Sequence, residues 1–145
     1  MTVTVEEILD KAVSEGYLTP TGAEEGPAHS AGFLRFGLLD GVSSPSGWSD
    51  PHGSGVVGPP AGALAVDLGT GGGIPGLVLA TLTMCRWVLV DRGERRGSFL
   101  RWAVRRLGLR DRVEVVVADA VEVGRGPLRG KANLVTARSF APPGP

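Results

Sequence analysis

Residues 66–76 read Val-Asp-Leu-Gly-Thr-Gly-Gly-Gly-Ile-Pro-Gly, and this stretch indicates the fold of the chain. It lies between an apolar segment at 63–66, typical of a buried strand, and another at 77–82, typical of a helix. Gly69, Gly71 and Gly73 lack a Cβ, so the backbone can adopt positive φ there and come close to a ligand. The next helix presents free N–H groups at its start. A strand, a glycine turn and a helix in this order predict a site for a nucleotide-like cofactor.

The turn is compatible with two kinds of cofactor. Residues 71–76 satisfy G-x-G-x-x-G, and Asp91 lies at about the spacing of a dinucleotide site. Asp67 favours S-adenosylmethionine (SAM), because its carboxylate can accept hydrogen bonds from the methionine portion, directly or through water, but would repel a pyrophosphate. We expect SAM, with NAD or a purely structural turn as alternatives. The expected contacts in this stretch are Asp67, Gly69, Thr70, Gly71, Gly73 and Pro75.

From Gly62 onward, predicted strands alternate with predicted helices. The strands are 63–67, 87–91, 113–118 and 132–137, and the helices are 76–82 and 95–107. This alternation predicts a parallel sheet with right-handed crossovers, in the order third, second, first, fourth. We expect an α/β fold, a Rossmann-like SAM-dependent methyltransferase sheet with about four parallel strands flanked by helices. The ligand crevice should open between the first and fourth strands.

The segment before this domain has a different character. Thr4 followed by Glu7 resembles a capping box and precedes a helical apolar stripe, which predicts an N-terminal helix within 1–16. Frequent Gly and Pro predict an irregular segment at 17–61, and a short helix near 33–39 is the alternative for that part of it. The cofactor-binding domain then comprises 62–145.

Acidic residues follow two of the predicted strands. The carboxylate of Asp91, at the end of the second strand, can accept both ribose hydroxyls of an adenosyl group; the alternative is a turn or capping aspartate. Asp119 follows the third strand and can accept the adenine amine, while Ala118 or Ala120 packs on the ring; the alternative is an exposed turn residue. We expect Asp91, Asp119 and Ala120 to bind the cofactor.

Arginine is concentrated between positions 92 and 112. A solvated helix face is the ordinary explanation, and an RNA-facing patch is the alternative. Arg96 lies in the first turn of its predicted helix, which places its guanidinium at the rim of the crevice. Arg138 directly follows the fourth strand, where it either binds substrate or closes the strand on a loop carbonyl. We expect Arg96 and Arg138 to bind substrate.

Composition limits the partners, metal sites and cellular locations that we expect for the chain. The chain has 145 residues, with 15 Lys plus Arg balanced by 15 Asp plus Glu, so no global field draws it to nucleic acid or membrane. Cys85 is the only cysteine, and His29 and His52 have no companion ligands at metal spacing, so we expect no metal site. The longest apolar run is too short for a membrane span and the start lacks a basic signal region, so a soluble cytoplasmic protein is expected.

Three segments carry a family resemblance over about residues 63–142. They are 66–76, Val90-Asp91-Arg92-Gly93-Glu94-Arg95-Arg96 with Phe99-Leu100, and Val135-Thr136-Ala137-Arg138-Ser139-Phe140-Ala141. Together they resemble the small-subunit ribosomal RNA guanine-N7 methyltransferase family, also called glucose-inhibited division protein B. The resemblance implies methyl transfer from SAM to a guanine N7 of 16S rRNA in the small ribosomal subunit, with Arg96 and Arg138 at the family's basic positions.

That reaction requires no general base, because guanine N7 attacks through a lone pair and has no proton to lose. We therefore predict no catalytic residue, only positioning. The chain departs from the family pattern at Asp119, where a basic residue is usual, and in residues 1–60. It also ends just after the fourth strand, so we expect a C-terminally truncated member with an incomplete sheet. The alternatives are a SAM-binding module without turnover, a partner protein that completes the sheet or, less favoured, a NAD-binding fragment.

Overall fold

Four parallel strands form the centre of the protein, whose computed structural model describes residues 3–35 and 44–137. The elements in these residues are α1 (Val5–Ser14), α2 (Pro20–Gly32), β1 (Leu64–Leu68), α3 (Gly76–Leu82), β2 (Arg86–Asp91), α4 (Glu94–Arg106), β3 (Val113–Val117), α5 (Ala120–Arg125) and β4 (Leu134–Ala137). None of the helices described is long and apolar enough to cross a membrane.

The sheet has the order β3-β2-β1-β4, and every neighbouring pair is parallel. This confirms the predicted strand order and the α/β class. β1 pairs with β4 so that Asp67 lies opposite Thr136, and with β2 so that Leu68 lies opposite Val90. The predicted strand and helix bounds agree with the observed ones to within one or two residues.

Each face of the sheet carries its own apolar cluster, as expected for a parallel sheet covered on both sides. On one face Trp87 and Leu89 pack with buried residues of α1, α3 and α4 in the larger cluster. On the other face Val66, Val88 and Val90 pack with residues that include Val123 of α5. Because strand side chains alternate, one β1 residue faces α3 and the next faces α5.

The predicted N-terminal helix is present as α1. The Thr4 hydroxyl accepts a hydrogen bond from the Glu7 N–H (3.2 Å), and Gly16 follows the helix with a φ of 82°. Ile8 and Ala12 are buried in the larger cluster together with sheet residues. The N-terminal helix is therefore part of the same core as the sheet.

The structure corrects the expectation of an irregular segment at 17–61. Residues 20–32 form α2, which begins with a Thr19 cap, has Pro20 in its first turn and contains Pro27 in its interior. Its low intrinsic propensity is overcome by packing, since Gly26 lies against Ile74 and Ala31 is buried. The alternative helix near 33–39 falls mostly outside the described residues. Helix α5 was also not predicted.

Candidate functional site

The carboxyl ends of β1, β2 and β3 border a crevice of about 530 Å³. A volume of that size is within the range of small-molecule sites. Parallel strands place their carboxyl ends at one edge of a sheet, so residues far apart in sequence meet there. The lining residues are Gly69, Val90, Asp91, Arg92, Arg96, Ala118, Asp119, Ala120 and Val121.

The position of this crevice differs from the expectation that it opens between β1 and β4. It lies on the β2–β3 side, where Gly93 and Asp119 are the N-caps of helices α4 and α5. Both helices start directly at the ends of their strands, and the space between their first turns is left open. The crevice therefore adjoins two helix N-termini as well as the glycine turn.

The turn after β1 is held against the end of β2. Gly69, Gly71 and Gly73 have φ values of 72°, 57° and 110°, which an L side chain would strain. The N–H groups of Gly69 and Thr70 both donate to the Val90 carbonyl, at 2.8 and 3.0 Å. Glycine thus lets the backbone fold onto β2, and Gly69 is exposed to the crevice.

Asp67 lies beneath this turn. It is fully buried, at 0% exposure, and is not among the crevice-lining residues. Its Oδ2 accepts from the Gly76 N–H (2.9 Å), and its Oδ1 accepts from the Thr136 hydroxyl (2.8 Å). In this arrangement the carboxylate connects the start of α3 to β4.

Thr70, Gly73 and Pro75 also lie away from the crevice lining. Thr70 is completely buried, and its hydroxyl donates to the Asp67 carbonyl at 3.3 Å. The Gly73 N–H donates to the Thr70 carbonyl at 2.9 Å. Their observed contacts maintain the shape of the turn.

Asp91 is the most constrained polar group of the crevice. The residue is 5% exposed, and its Oδ1 accepts from the Gly71 N–H at 3.1 Å. Its Oδ2 accepts from the Gly93 N–H at 2.9 Å and from the Arg96 Nε–H at 2.7 Å. The carboxylate therefore joins the glycine turn to the start of α4, at the place where the sequence predicts a ribose contact.

Asp119 and Ala120 lie on the opposite side of the crevice from α4. Asp119 is the N-cap of α5, and its Oδ1 accepts from the Val121 N–H at 2.8 Å. No partner of its Oδ2 is present among residues 3–35 and 44–137. Ala118 and Ala120 flank it and present small apolar surfaces.

The two arginines expected at the substrate side have different outcomes. Arg96 lines the crevice, as its place in the first turn of α4 predicts, and its side chain is 40% exposed. Arg92, which was not singled out, also lines the crevice and is exposed. Arg138 lies outside the described residues.

A second cavity, of about 240 Å³, lies between α2 and the glycine turn. Glu25, His29 and Phe33 line it from α2 and its C-terminal end, and Ile74 and Pro75 line it from the turn. The rings of His29 and Phe33 meet edge to face with 5.7 Å between centroids. Sequence reasoning missed this cavity because it left α2 unassigned, although Thr19 followed by Pro20 is a recognisable helix start.

Comparison with known proteins gives matches to part of this chain. A protein of Frankia alni named ribosomal RNA small subunit methyltransferase G is 40% identical over 84 residues, which are 57% of this chain and 32% of that one. The protein of that name from Kineococcus radiotolerans is 45% identical over 82 residues, covering 56% of this chain and 31% of that one. The chain thus spans about a third of the length of these curated relatives.

Solved structures support the fold. A Methanococcus maripaludis protein described as a candidate S-adenosyl-L-methionine-dependent methyltransferase matches with a TM-score of 0.54 at 18% identity, over 92% of this chain and 47% of that one. A variant of MtNAS matches with a TM-score of 0.53 at 15% identity, over 95% of this chain and 47% of that one. The expected Rossmann-like fold, a parallel sheet flanked by helices, is confirmed.

The family model described as rRNA small subunit methyltransferase G matches residues 59–143. That range includes the glycine turn, the four strands and every residue that lines the crevice. It is more than half of the 145 residues, and the chain therefore belongs to the rRNA small subunit methyltransferase G family.

Proposed function

We propose that this chain binds SAM in the crevice at the ends of β1, β2 and β3, and that it methylates 16S rRNA at a guanine N7. SAM is the methyl donor that the family and the fold indicate. The observation that carries the proposal is the Asp91 carboxylate, which lines a crevice of about 530 Å³ at the end of β2. A NAD site is the weaker alternative, because the family that matches is a methyltransferase family.

The crevice residues suit an adenosyl group. Asp91 supplies carboxylate oxygens that can accept from ribose hydroxyls, and the second oxygen of Asp119 can accept from an adenine amine. Ala118 and Ala120 offer small apolar surfaces for the face of a purine. Gly69, without a side chain, lets a ligand approach the backbone of the turn.

The remaining turn residues are proposed to affect ligand binding indirectly, by holding the backbone of the turn in place. Asp67, Thr70, Gly71, Gly73 and Pro75 are proposed to hold the turn in the form that the cofactor requires. The contact of Asp67 with the Gly76 N–H at 2.9 Å supports this role, because it fixes the start of α3. Preorganisation of this kind lowers the cost of ordering a site when its ligand binds.

When bound, SAM supplies a methyl group on an electrophilic sulfonium. The chain's own contribution is to orient the donor and to hold the target base in line with it. Guanine N7 has no proton to lose, so neither a histidine nor another base is required. We propose that no side chain of this site acts as a general acid or base.

On the substrate side, the proposal assigns phosphate contacts to Arg96 and Arg138. Arg92 is a further candidate, since it is exposed and lines the same crevice. Contacts of this type position an RNA without reading its sequence. We further propose that the protein acts in the cytoplasm, where small ribosomal subunits are available.

The cofactor site is tested by calorimetry with SAM on the wild type, Asp91→Asn and a matched control, Asp111→Asn. Asp111 is exposed and does not line the crevice, so its substitution removes the same charge elsewhere. We expect Asp91→Asn to weaken binding at least about tenfold, because one charged acceptor is lost, and Asp111→Asn to bind as the wild type does. Equal affinity in all three proteins would reject the assignment of Asp91.

The reaction is tested with labelled SAM and small ribosomal subunits that lack the modification. The proposal predicts label at N7 of a guanine in 16S rRNA. SAM binding without transfer of label would instead support a binding module without turnover. In the calorimetric titration, binding of NAD without binding of SAM would support the dinucleotide alternative.

The edge of the sheet carries one further proposal. Within the sheet that the described residues form, β4 is the last strand in the order β3-β2-β1-β4, and its Val135 is 56% exposed. We propose that another strand, from a partner protein, pairs with this edge. Sedimentation of the complex between this chain and its partner would test the proposal. Val135→Lys should dissociate that complex without unfolding the chain.

A further inference from the structure

The contact between Asp91 and Arg96 has a consequence for cofactor binding. We infer that in the free chain Arg96 occupies part of the ribose acceptor, and that its guanidinium must leave Asp91 before a ribose can bind to both carboxylate oxygens. The inference rests on the proposed function, because it concerns the same adenosyl site.

The first step is a count of acceptor positions. A carboxylate has about four lone-pair positions, two on each oxygen. The Oδ1 atom of Asp91 accepts one N–H, from Gly71, whereas Oδ2 accepts two, from Gly93 and Arg96. A ribose that donates one hydroxyl to each oxygen finds a position on Oδ1 but none on Oδ2.

The second step identifies which donor can move. The Gly71 and Gly93 donors are backbone groups, fixed by a turn and by the start of α4. Arg96 donates through a flexible side chain that is 40% exposed and already borders the crevice. The guanidinium is therefore the donor that can be exchanged for a hydroxyl.

Gly93 supplies the space that this contact requires. A Cβ placed on Gly93 would approach Nη2 of Arg96 to 2.9 Å, Cζ of Arg96 to 3.0 Å and Oδ2 of Asp91 to 3.1 Å, which is closer than nearly all Cβ atoms come to their neighbours. The guanidinium thus lies directly on the backbone at the start of α4. Its position is set by Asp91 on one side and by the absence of a side chain on the other.

The exchange lowers the affinity of the site for a ribose. The ion pair must be broken, although a pair with one partly exposed partner costs only a modest amount. After the exchange the Arg96 guanidinium is free at the rim of the crevice, where the proposed function needs a cation for RNA. Occupation of the cofactor site would therefore precede the Arg96 contact with RNA.

The test is calorimetry with two uncharged probes, adenosine and 2′,3′-dideoxyadenosine, which lacks the ribose hydroxyls. We expect Arg96→Ala to bind adenosine about fivefold more tightly than the wild type, and to bind dideoxyadenosine equally. Arg95→Ala is the matched control, because Arg95 is an exposed arginine in the first turn of α4 that does not line the crevice. Its substitution should leave the affinity for adenosine unchanged.

One further measurement separates this exchange from a general change of charge. In the NMR spectrum, the Arg96 Nε–H signal should shift when adenosine is added to the wild type and stay in place with dideoxyadenosine.

Weaker or unchanged adenosine binding by Arg96→Ala would overturn the inference, since Arg96 would then remain on Asp91 in the complex and orient it. That result leaves the proposed function standing as long as the wild type binds SAM. If neither the wild type nor any variant binds adenosine or SAM, the proposed function is rejected together with the inference.

Discussion

Thr136→Val tests the role that the structure gives to Asp67. The Thr136 hydroxyl donates to Oδ1 of Asp67 at 2.8 Å, and the two residues are 5% and 0% exposed. Valine has almost the same shape as threonine but replaces the hydroxyl with a methyl group. The substitution therefore leaves the packing of β4 intact and removes one hydrogen-bond donor from a buried carboxylate.

The expected loss follows from the charge and burial of this acceptor. A hydrogen bond to a charged group contributes about 1.5 to 3 kcal/mol, and a buried acceptor cannot replace its lost donor with water. We expect the free energy of unfolding to fall by about 2 kcal/mol. For a chain of this size, that loss lowers the melting temperature by about 4 to 8 °C.

Urea unfolding followed by tryptophan fluorescence measures the effect, because Trp87 is buried in the core and reports on its exposure. The urea midpoint should fall while the slope of the transition stays constant. Thr136→Ser, which retains the hydroxyl, and Val135→Thr, on the exposed neighbour, should each change the free energy by less than about 1 kcal/mol. A Thr136→Val protein as stable as the wild type would refute the role assigned to Asp67.

Three further substitutions or measurements test other parts of the fold. Gly76→Ala places a methyl group against the buried carboxylate of Asp67 and against Leu89 of β2, so the free energy of unfolding should fall by about 3 kcal/mol. A methyl group at Gly62 meets nothing within 4 Å, so Gly62→Ala should leave that free energy unchanged in the same urea assay. Arg112→Ala removes donors to two backbone carbonyls, at 2.6 and 3.2 Å, and should cost about 2 kcal/mol, while Arg110→Ala on an exposed side chain should cost less than about 0.5 kcal/mol. Burial raises the pKa of the Cys85 thiol above its ordinary value of 9.0. A thiol reagent should therefore modify it only after urea unfolds the chain. Because the thiol ionises at a lower pH in the unfolded chain than in the folded one, its contribution to stability is complete below pH 9.0 and is lost as the pH rises through the folded pKa. Fast modification of the native protein by the reagent would contradict the burial of Cys85.

Local sequence patterns determined most of the sheet. Apolar runs between turn residues predicted all four strands, and the general rule for parallel crossovers predicted the order β3-β2-β1-β4. Thr4 and Gly16 marked the two ends of α1 in the same way. These features depend on residues close together in the chain, so they can be inferred from a single sequence.

Helix α2 was missed because the signals in its interior oppose those at its start, where Thr19 and Pro20 indicate a helix. Gly22, Gly26 and Pro27 lower helix propensity, and a reading of composition alone predicts a loop. Packing decides otherwise, since the absence of a side chain at Gly26 lets α2 lie directly against Ile74 of the turn. That contact joins residues that are far apart in the chain, and no local pattern announces it.

The direction of each acidic side chain was likewise decided by tertiary structure. Asp67 is the last but one residue of β1 and Asp91 is the last residue of β2, each before a glycine-containing turn, and the sequence predicts that both reach the cofactor. The pairing of β1 with β4 places Thr136 beside Asp67 and buries it, whereas Asp91 at the end of β2 faces the crevice and binds Arg96. The sequence by itself determined where the carboxylates are; the register of the strands determined which of them lines the crevice, because burial depends on neighbours that only the folded sheet brings together.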